Sequence, residues 1–265
     1  MSNAGTKRLT VNIDGTQATA SLVQQALAKA TANTTVSLSA AQAFSSAEEI
    51  AILNSAGTKP FNPAYNGAQM TGAALQQILG AAGTNTAVSV NTAQAFSSAE
   101  WSQISASAGS KKFSPDFNGT QTNDSLIRQV LTAAGTNTAV SVNTAQAQGL
   151  SDLISICETA GAKQLTLDIN GAQASESFVI QVINAAETNT TVSVNTAQAF
   201  GQDDIANIVE AAGSKKLSLR LNGSQTSASY INAAMANAGT NTSITLDVAH
   251  ALSASNLISF VQTAG

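Results

Sequence analysis

The sequence predicts an α/β fold, a right-handed parallel β/α solenoid of five 52-residue repeats, each made of two strand–helix modules. Three observations predict it. The segment Lys163 to Gln173, KQLTLDINGAQ, occurs in five variants. The glycine of its Asn-Gly or Asp-Gly pair falls at Gly15, Gly67, Gly119, Gly171 and Gly223, every 52 residues without insertion or deletion. Each strand-like segment is followed by a helical pattern. A fixed period of this kind means supersecondary units stacked on one another. One repeat domain is therefore expected over 1–265, with units at about 5–56, 57–108, 109–160, 161–212 and 213–265. Ser2-Asn3-Ala4 reads as a remnant of tag removal, which leaves residues 1–4 outside the array.

Each repeat opens with alternation, as in Leu9, Val11, Ile13 or Leu165, Leu167, Ile169 or Leu217, Leu219, Leu221. Alternation marks a strand with one buried face. Asn-Gly then turns the chain. A helical pattern follows, as in Leu22, Val23, Ala26, Leu27 or Phe178, Val179, Val182, Ile183. It ends at a Gly-Thr-Asn-Thr turn at Gly83, Gly135 and Gly239, where glycine suits a left-handed helix-closing residue.

The second half starts with a shorter strand: Val36 and Leu38, Val88 and Val90, Val140 and Val142, Val192 and Val194, Ile244 and Leu246. Ser45 with Glu48, and Ser97 with Glu100, fit a capping box opening the second helix. Its expected apolar face carries Ile50 and Leu53, Trp101 and Ile104, Ile154 and Cys157, Ile205 and Val209, Leu257 and Val261. It ends at Gly57, Gly109, Gly161, Gly213 and Gly265. Corresponding strand positions are 27 and 25 residues apart by turns, as in Val11 to Leu38 and Leu38 to Pro63. Alternating strands and helices also occur in doubly wound sheets and barrels; the strict period favours the open solenoid. Pro63 and Pro115 interrupt two of the first-half strands. Proline cannot donate to a ladder, so a local irregularity or one-sided pairing is expected there.

Apolar residues make up 43% of the chain but charged residues only 10%, against roughly 25% in ordinary domains. Ala, Thr, Ser, Asn and Gln fill the gap, a composition that suits a secreted or host-directed bacterial protein. A net charge of −4 argues against nucleic-acid binding. Cys157 is the lone cysteine, which leaves no intramolecular disulfide and no cysteine-based zinc site. No apolar run approaches the roughly 20 residues of a membrane span. No signal peptide is expected, because Met1 leads almost directly into the first repeat. No cofactor or metal is expected either.

Read as L-x-L-x-x-N-x-A, Leu165, Leu167, Asn170 and Ala172 resemble the characteristic segment of leucine-rich repeats. The alternating 25- and 27-residue lengths and helical second parts resemble the ribonuclease-inhibitor-like class. That resemblance implies a horseshoe with strands on its inner face and a protein-binding scaffold without catalysis. The chain departs from the family at Ala41, Ala93, Ala145, Ala197 and Ala249, where the family has Asn, and in many leucines replaced by Val or Ala.

Three features are candidates for function. Gln17, Gln42, Gln69, Gln94, Gln121, Gln146, Gln173, Gln198 and Gln225 recur at equivalent places, and His250 takes the tenth. An amide supplies donor and acceptor together. The row is expected to be a structural ladder buried at the strand ends rather than a line of ligand contacts. His250 is then a ladder substitution and not a general base, since no motif ties a nucleophile to it.

Lys7, Arg8, Lys59, Lys111, Lys112, Lys163, Lys215 and Lys216 line one edge. They read either as an anion rail or, preferably, as cations offsetting helix dipoles. Alternation also directs a row of small polar residues outward, including Asn91, Asp116, Asn143, Asp168, Asn195, Arg220 and Asp247. This face is the expected contact surface for a protein partner; a glycan, an ordered ice surface and a merely solvated sheet are the other readings. Asp203, Asp204, Glu48 and Glu49 stand where helices start, and the helix dipole explains carboxylates there. The expected function is a non-catalytic interaction scaffold. The alternative is a structural or self-assembling repeat segment of a longer secreted or surface protein.

Overall fold

The structure is a computed structural model that describes residues 7–247 and 249–264. Contacts divide the chain into two compact units, Met1–Ser141 and Val142–Gly265. Unit 1 contains β1 (Leu9–Asp14), α1 (Ala20–Lys29), β2 (Thr34–Ser39), α2 (Ser46–Ala56), β3 (Phe61–Asn66), α3 (Gly72–Ala81), β4 (Ala87–Asn91), α4 (Ser98–Ala108), β5 (Lys112–Asn118) and α5 (Asp124–Ala133). The division falls within β6 (Ala139–Asn143). Unit 2 continues with α6 (Leu150–Ala160), β7 (Gln164–Asn170), α7 (Glu176–Ala185), β8 (Thr190–Asn195), α8 (Gln202–Ala212), β9 (Lys216–Asn222), α9 (Ala228–Ala236), β10 (Thr242–Asp247) and α10 (Ala254–Ala264).

In both units neighbouring strands pair in chain order and run parallel. In unit 2 the register runs unbroken from Leu165↔Thr190 to Asn170↔Asn195. It therefore sets Leu167 beside Val192 and Val192 beside Leu217. These side chains are buried, as are Val179, Val182 and Ile183 on α7 and Ile205, Ile208 and Val209 on α8. Each such side chain contributes about 1.5–3 kcal/mol when taken fully out of water. Sheet and helices thus bury one shared apolar layer, and the opposite strand face is left to polar residues. No helix among the described residues is long and apolar enough to cross a membrane.

The prolines act as their missing N–H requires. β3 pairs with β2 up to Leu38↔Pro63 and with β4 from Ala64↔Ser89 onward, with a separate bridge at Phe61↔Thr86. The β4-side pairing that starts at Phe61 is thus interrupted at Pro63, which has no N–H to continue it, and resumes at Ala64. Helix starts are also encoded locally. Ser45 with Glu48 and Ser97 with Glu100 form complete capping boxes. The first-half helices are capped by Thr19, Thr71, Asn123, Ser175 and Ser227, whose side chains accept from the third helical N–H.

Two sequence expectations need correction. Gly83, Gly135 and Gly239 do not take the left-handed conformation expected of helix-closing residues. Positive φ belongs to Gly57, Gly109, Gly161 and Gly213, which end the second-half helices at 49–55°. Gly83, Gly135 and Gly239 are needed for another reason. A Cβ there would overlap the carbonyl oxygens of Gly57, Gly109 and Gly213, respectively. The requirement is close approach of two backbones, not a special dihedral.

The second correction concerns the second-half helices. Ile50 and Ile154 are only half-buried, and Val261 is 75% exposed. Trp101 and Ile205 are buried as expected, and in two other repeats the same column is filled by Glu49 and Leu153, one residue before Ile50 and Ile154. Glu49 is therefore not a dipole carboxylate at a solvated helix start. It occupies the core position that Trp101 fills one repeat later, 52 residues on. Burial pushes its carboxyl from 4.5 up to about 7. Burial first, and the Glu49 charge second, raise the phenol of buried Tyr65 as well.

Because Glu49 holds its proton more tightly in the folded state than in the unfolded chain, its contribution is fully present below about pH 4.5. That contribution is lost as pH rises through about 7. The melting temperature of the wild type should fall over this window relative to Glu49→Gln, which cannot ionise. Thermal scans from pH 4 to pH 8 check this (an interval of about four units that spans both states), and parallel profiles for the two proteins would refute it.

Candidate functional site

The polar surface begins where each first-half strand ends. The side chains of Asp14, Asn66, Asn118, Asn170 and Asn222 accept from the backbone N–H two residues on, at 2.9–3.0 Å. This Asx-turn is why Asn or Asp precedes the recurrent glycine.

A glutamine from the preceding module completes each of four turns. In unit 1, Gln42 Nε2 donates to Gln69 Oε1 at 2.8 Å, and Gln42 Oε1 accepts from the Asn66 N–H at 3.1 Å. Gln94 repeats both bonds with Gln121 and Asn118, at 2.9 and 3.1 Å. In unit 2, Gln146 bonds Gln173 and the Asn170 N–H at 2.8 and 3.0 Å. Gln198 bonds Gln225 and the Asn222 N–H, both at 3.2 Å. The bridging amides Gln42, Gln94, Gln146 and Gln198 are half-buried, while Gln17, Gln69, Gln121, Gln173 and Gln225 are exposed. The ladder thus lies at the loop surface, not in the interior that the sequence reading expected. The strand has already left the core where these residues begin. The His250 side chain lies outside the described residues.

Three lysines of the basic edge are engaged by helix ends. Lys59 Nζ donates to the carbonyls of Leu27 and Ala28 at 2.6 and 3.3 Å, and Lys215 Nζ to those of Ile183 and Asn184 at 2.8 and 2.5 Å. Lys111 does the same to Leu79 and Gly80, and desolvation lowers its proton affinity. Each lysine follows one helix in sequence but caps the helix before it, α1, α3 or α7, where orphan carbonyls and the negative dipole end coincide.

The outward strand residues are placed as alternation requires. Asn91 is exposed and Asp116 half-buried in unit 1, and Asn143 is exposed at the end of β6. In unit 2, four of the candidates converge on one cleft of about 430 Å³: Asp168, Asn195, Arg220 and Asp247. Two ladder amides, Gln198 and Gln225, line it too. Asn195 Nδ2 donates to Asp168 Oδ1 at 3.2 Å, and Arg220 Nε donates to Asp247 Oδ2 at 2.5 Å. That bond and the Asp247 charge raise the affinity of Arg220 for its proton.

Sequence reasoning did not single out the turn beside this cleft. Thr196 has φ +50°, and Thr92 and Thr144 have φ +49° at the equivalent places. A β-branched residue rarely adopts this conformation, which costs about 1–3 kcal/mol. Hydroxyl bonding offsets it: Thr196 Oγ1 donates to Asn170 Oδ1 at 2.6 Å and Thr92 Oγ1 to Asn66 Oδ1 at 2.5 Å. The recurrence of Asn-Thr-Ala-Gln was the available signal. Among the described residues, no three His, Cys, Asp or Glu side chains are grouped to hold a metal ion. The cleft thus assembles amides, carboxylates and one guanidinium, groups that can give and take hydrogen bonds.

The two kinds of ladder glutamine should differ in mutational cost. Gln146→Leu removes the acceptor of the half-buried Asn170 N–H and should cost about 1 kcal/mol. Gln173→Leu removes an exposed partner and should stay within about 0.5 kcal/mol. Denaturant titration of both variants tests this, and equal or reversed losses would contradict the bridging role.

No protein-family model matches the sequence, and no curated protein matches it. Solved structures do. The chain is similar to the leucine-rich repeat-containing protein LegL7 from Legionella pneumophila, with a TM-score of 0.68 and 14% identity. The match covers 96% of this chain and 89% of that one. It is also similar to the yeast Rad7 and Elc1 complex structure, with a TM-score of 0.53, 13% identity, and coverage of 91% and 68%. The fold is that of a leucine-rich-repeat-like β/α solenoid.

Proposed function

We propose that this protein is a non-catalytic interaction scaffold that binds a protein partner through its polar strand face. The observation that carries this is the convergence of Asp168, Asn195, Arg220 and Asp247 on strand positions, with side chains fixed by one another rather than by a flexible loop. Pre-organised polar groups lose little freedom on binding. Asn91, Asp116 and Asn143 extend the proposed contact surface. In this reading the array behind it is one repeat domain of five 52-residue units. A structure of the similar Rad7 is of a complex with Elc1, and fold likeness makes a protein partner the first class to test here. The low-charge surface suits a secreted or host-directed bacterial protein.

The test is crosslinking capture with identification of the bound protein, followed by titration of that protein. Asn195→Trp and Asn143→Arg should weaken the titrated complex at least about tenfold, the scale of losing one interface anchor. Asn207→Ala, on α8, should leave it intact. A partner bound equally by all three variants, or one attached through the helices, would overturn the proposal.

Self-association is supported by a separate observation. In unit 2 an open groove of about 520 Å³ is lined by Ile231, Met235, Ile244, Leu246 and Phe260. Ile258 and Val261 nearby are 59% and 75% exposed. Light scattering that rises with concentration, and no longer rises in Ile258→Asp/Val261→Asp, would favour the self-assembling alternative; a mass independent of concentration would exclude it.

A further inference from the structure

We propose that the cleft over β7–β10 is a binding site for a neutral saccharide. The cleft's polar atoms are only partly used by one another. Gln198 is engaged at both ends: its nitrogen donates to Gln225 and its oxygen accepts from the Asn222 N–H. Asp168 uses Oδ1 for Asn195, and Arg220 and Asp247 use Nε and Oδ2 for each other. Asn222 uses Oδ1 for the Ser224 N–H and hydroxyl, and Gln225 uses Oε1 for Gln198.

Among the described residues this leaves two carboxylate oxygens as acceptors, Asp168 Oδ2 and Asp247 Oδ1. It also leaves three sets of donors, the Arg220 Nη groups and the amide nitrogens of Asn222 and Gln225, together with the Ser193 hydroxyl, which can donate or accept.

A ligand for this cleft must give and take hydrogen bonds at closely spaced atoms. A cation would meet the Arg220 guanidinium and leave three donor groups without acceptors. An anion would meet two carboxylates, Asp168 and Asp247, set against the single Arg220 guanidinium. The lining is polar apart from Leu221 and has no aromatic ring, which leaves no platform for a nucleobase or an apolar ligand. A sugar's vicinal hydroxyls donate to carboxylates while its hydroxyl and ring oxygens accept from amides and guanidinium. The volume of about 430 Å³ lies within the range of small-molecule sites.

A sugar and a protein partner on this face would share Asp168, Arg220 and Asp247 and so compete for them. The two are read by different experiments, so failure of one leaves the other standing.

The probes are maltose, cellobiose, lactose and N,N′-diacetylchitobiose, applied to the whole chain by saturation-transfer NMR and calorimetry. At least one should bind. Its affinity should fall about ten- to a hundredfold in Asp168→Asn and also in Arg220→Ala, the range for a hydrogen bond to a charged group. It should be unchanged in Asn207→Ala and nearly unchanged between about 0.05 and 0.5 M salt, since a neutral ligand is not screened. Asp247→Asn replaces any variant that circular dichroism shows to be unfolded. The proposal fails if none of the four sugars binds or if binding survives both substitutions. It also fails if arginine methyl ester binds in their place and binds more tightly to Arg220→Ala.

Discussion

No strand–helix module of this chain can bury its apolar face alone, and that constraint organises the rest. Leu167 on β7 has Val192 of β8 beside it, and Val192 has Leu217 of β9. Each is covered only because a neighbour of the same pitch lies alongside. Once parallel pairing fixes that pitch, equivalent atoms of successive modules lie a strand spacing of about 4.8 Å apart. Polar groups at the strand ends must then find partners one module away. The Gln–Gln bonds, the Asn85-to-Thr58 and Asn189-to-Ala162 bonds and the Arg220–Asp247 pair all join residues 27 positions apart. They are consequences of one geometric repeat, not independent inventions.

The same constraint shapes the candidate site. Side chains pointing away from the core cannot choose their neighbours; register chooses for them. Asp168, Asn195, Arg220 and Asp247 are far apart in sequence, yet they are brought to one cleft by β7–β10. Their mutual bonds hold them there before any ligand arrives. The left-handed threonines belong to this economy. The turn itself sets the dihedral, since Ala40 takes it at the equivalent place without a hydroxyl, and the Thr196 hydroxyl uses it to reach Asn170, the residue that makes the neighbouring Asx-turn.

Departures from the repeat are informative because the repeat is so strict. Glu49 replaces an apolar residue in a core column, and its ionisation is suppressed accordingly. Trp101 in the same column solves its own polarity by donating Nε1 to the Ala93 carbonyl at 3.2 Å, while its ring lies tilted against those of Phe113 and Phe117. In unit 2, Tyr230 from α9 donates to the equivalent carbonyl of Ala197 at 2.5 Å. Two aromatic residues from different helices thus satisfy one recurring carbonyl position, as buried polar groups demand.

The sequence by itself determined the element types, their order and the pitch. Alternation, capping residues and a 52-residue period are local or periodic signals, and Leu165, Ser45 and Pro63 each act through their own backbone. The outward row was legible for the same reason, since alternation alone assigns Asp168 and Asn195 to one face. Glu49 was legible too, though only by aligning it with Trp101 across the period and not by its place at a helix start. What only the tertiary structure decided is which polar atoms meet. Lysines cap the helix before the one they follow, the glutamines divide into bridging and exposed classes, and Gly83 is glycine because Gly57 lies against it. These depend on distances between modules set by packing, and a period in sequence fixes the spacing of residues along the chain but not the separation of their atoms in space.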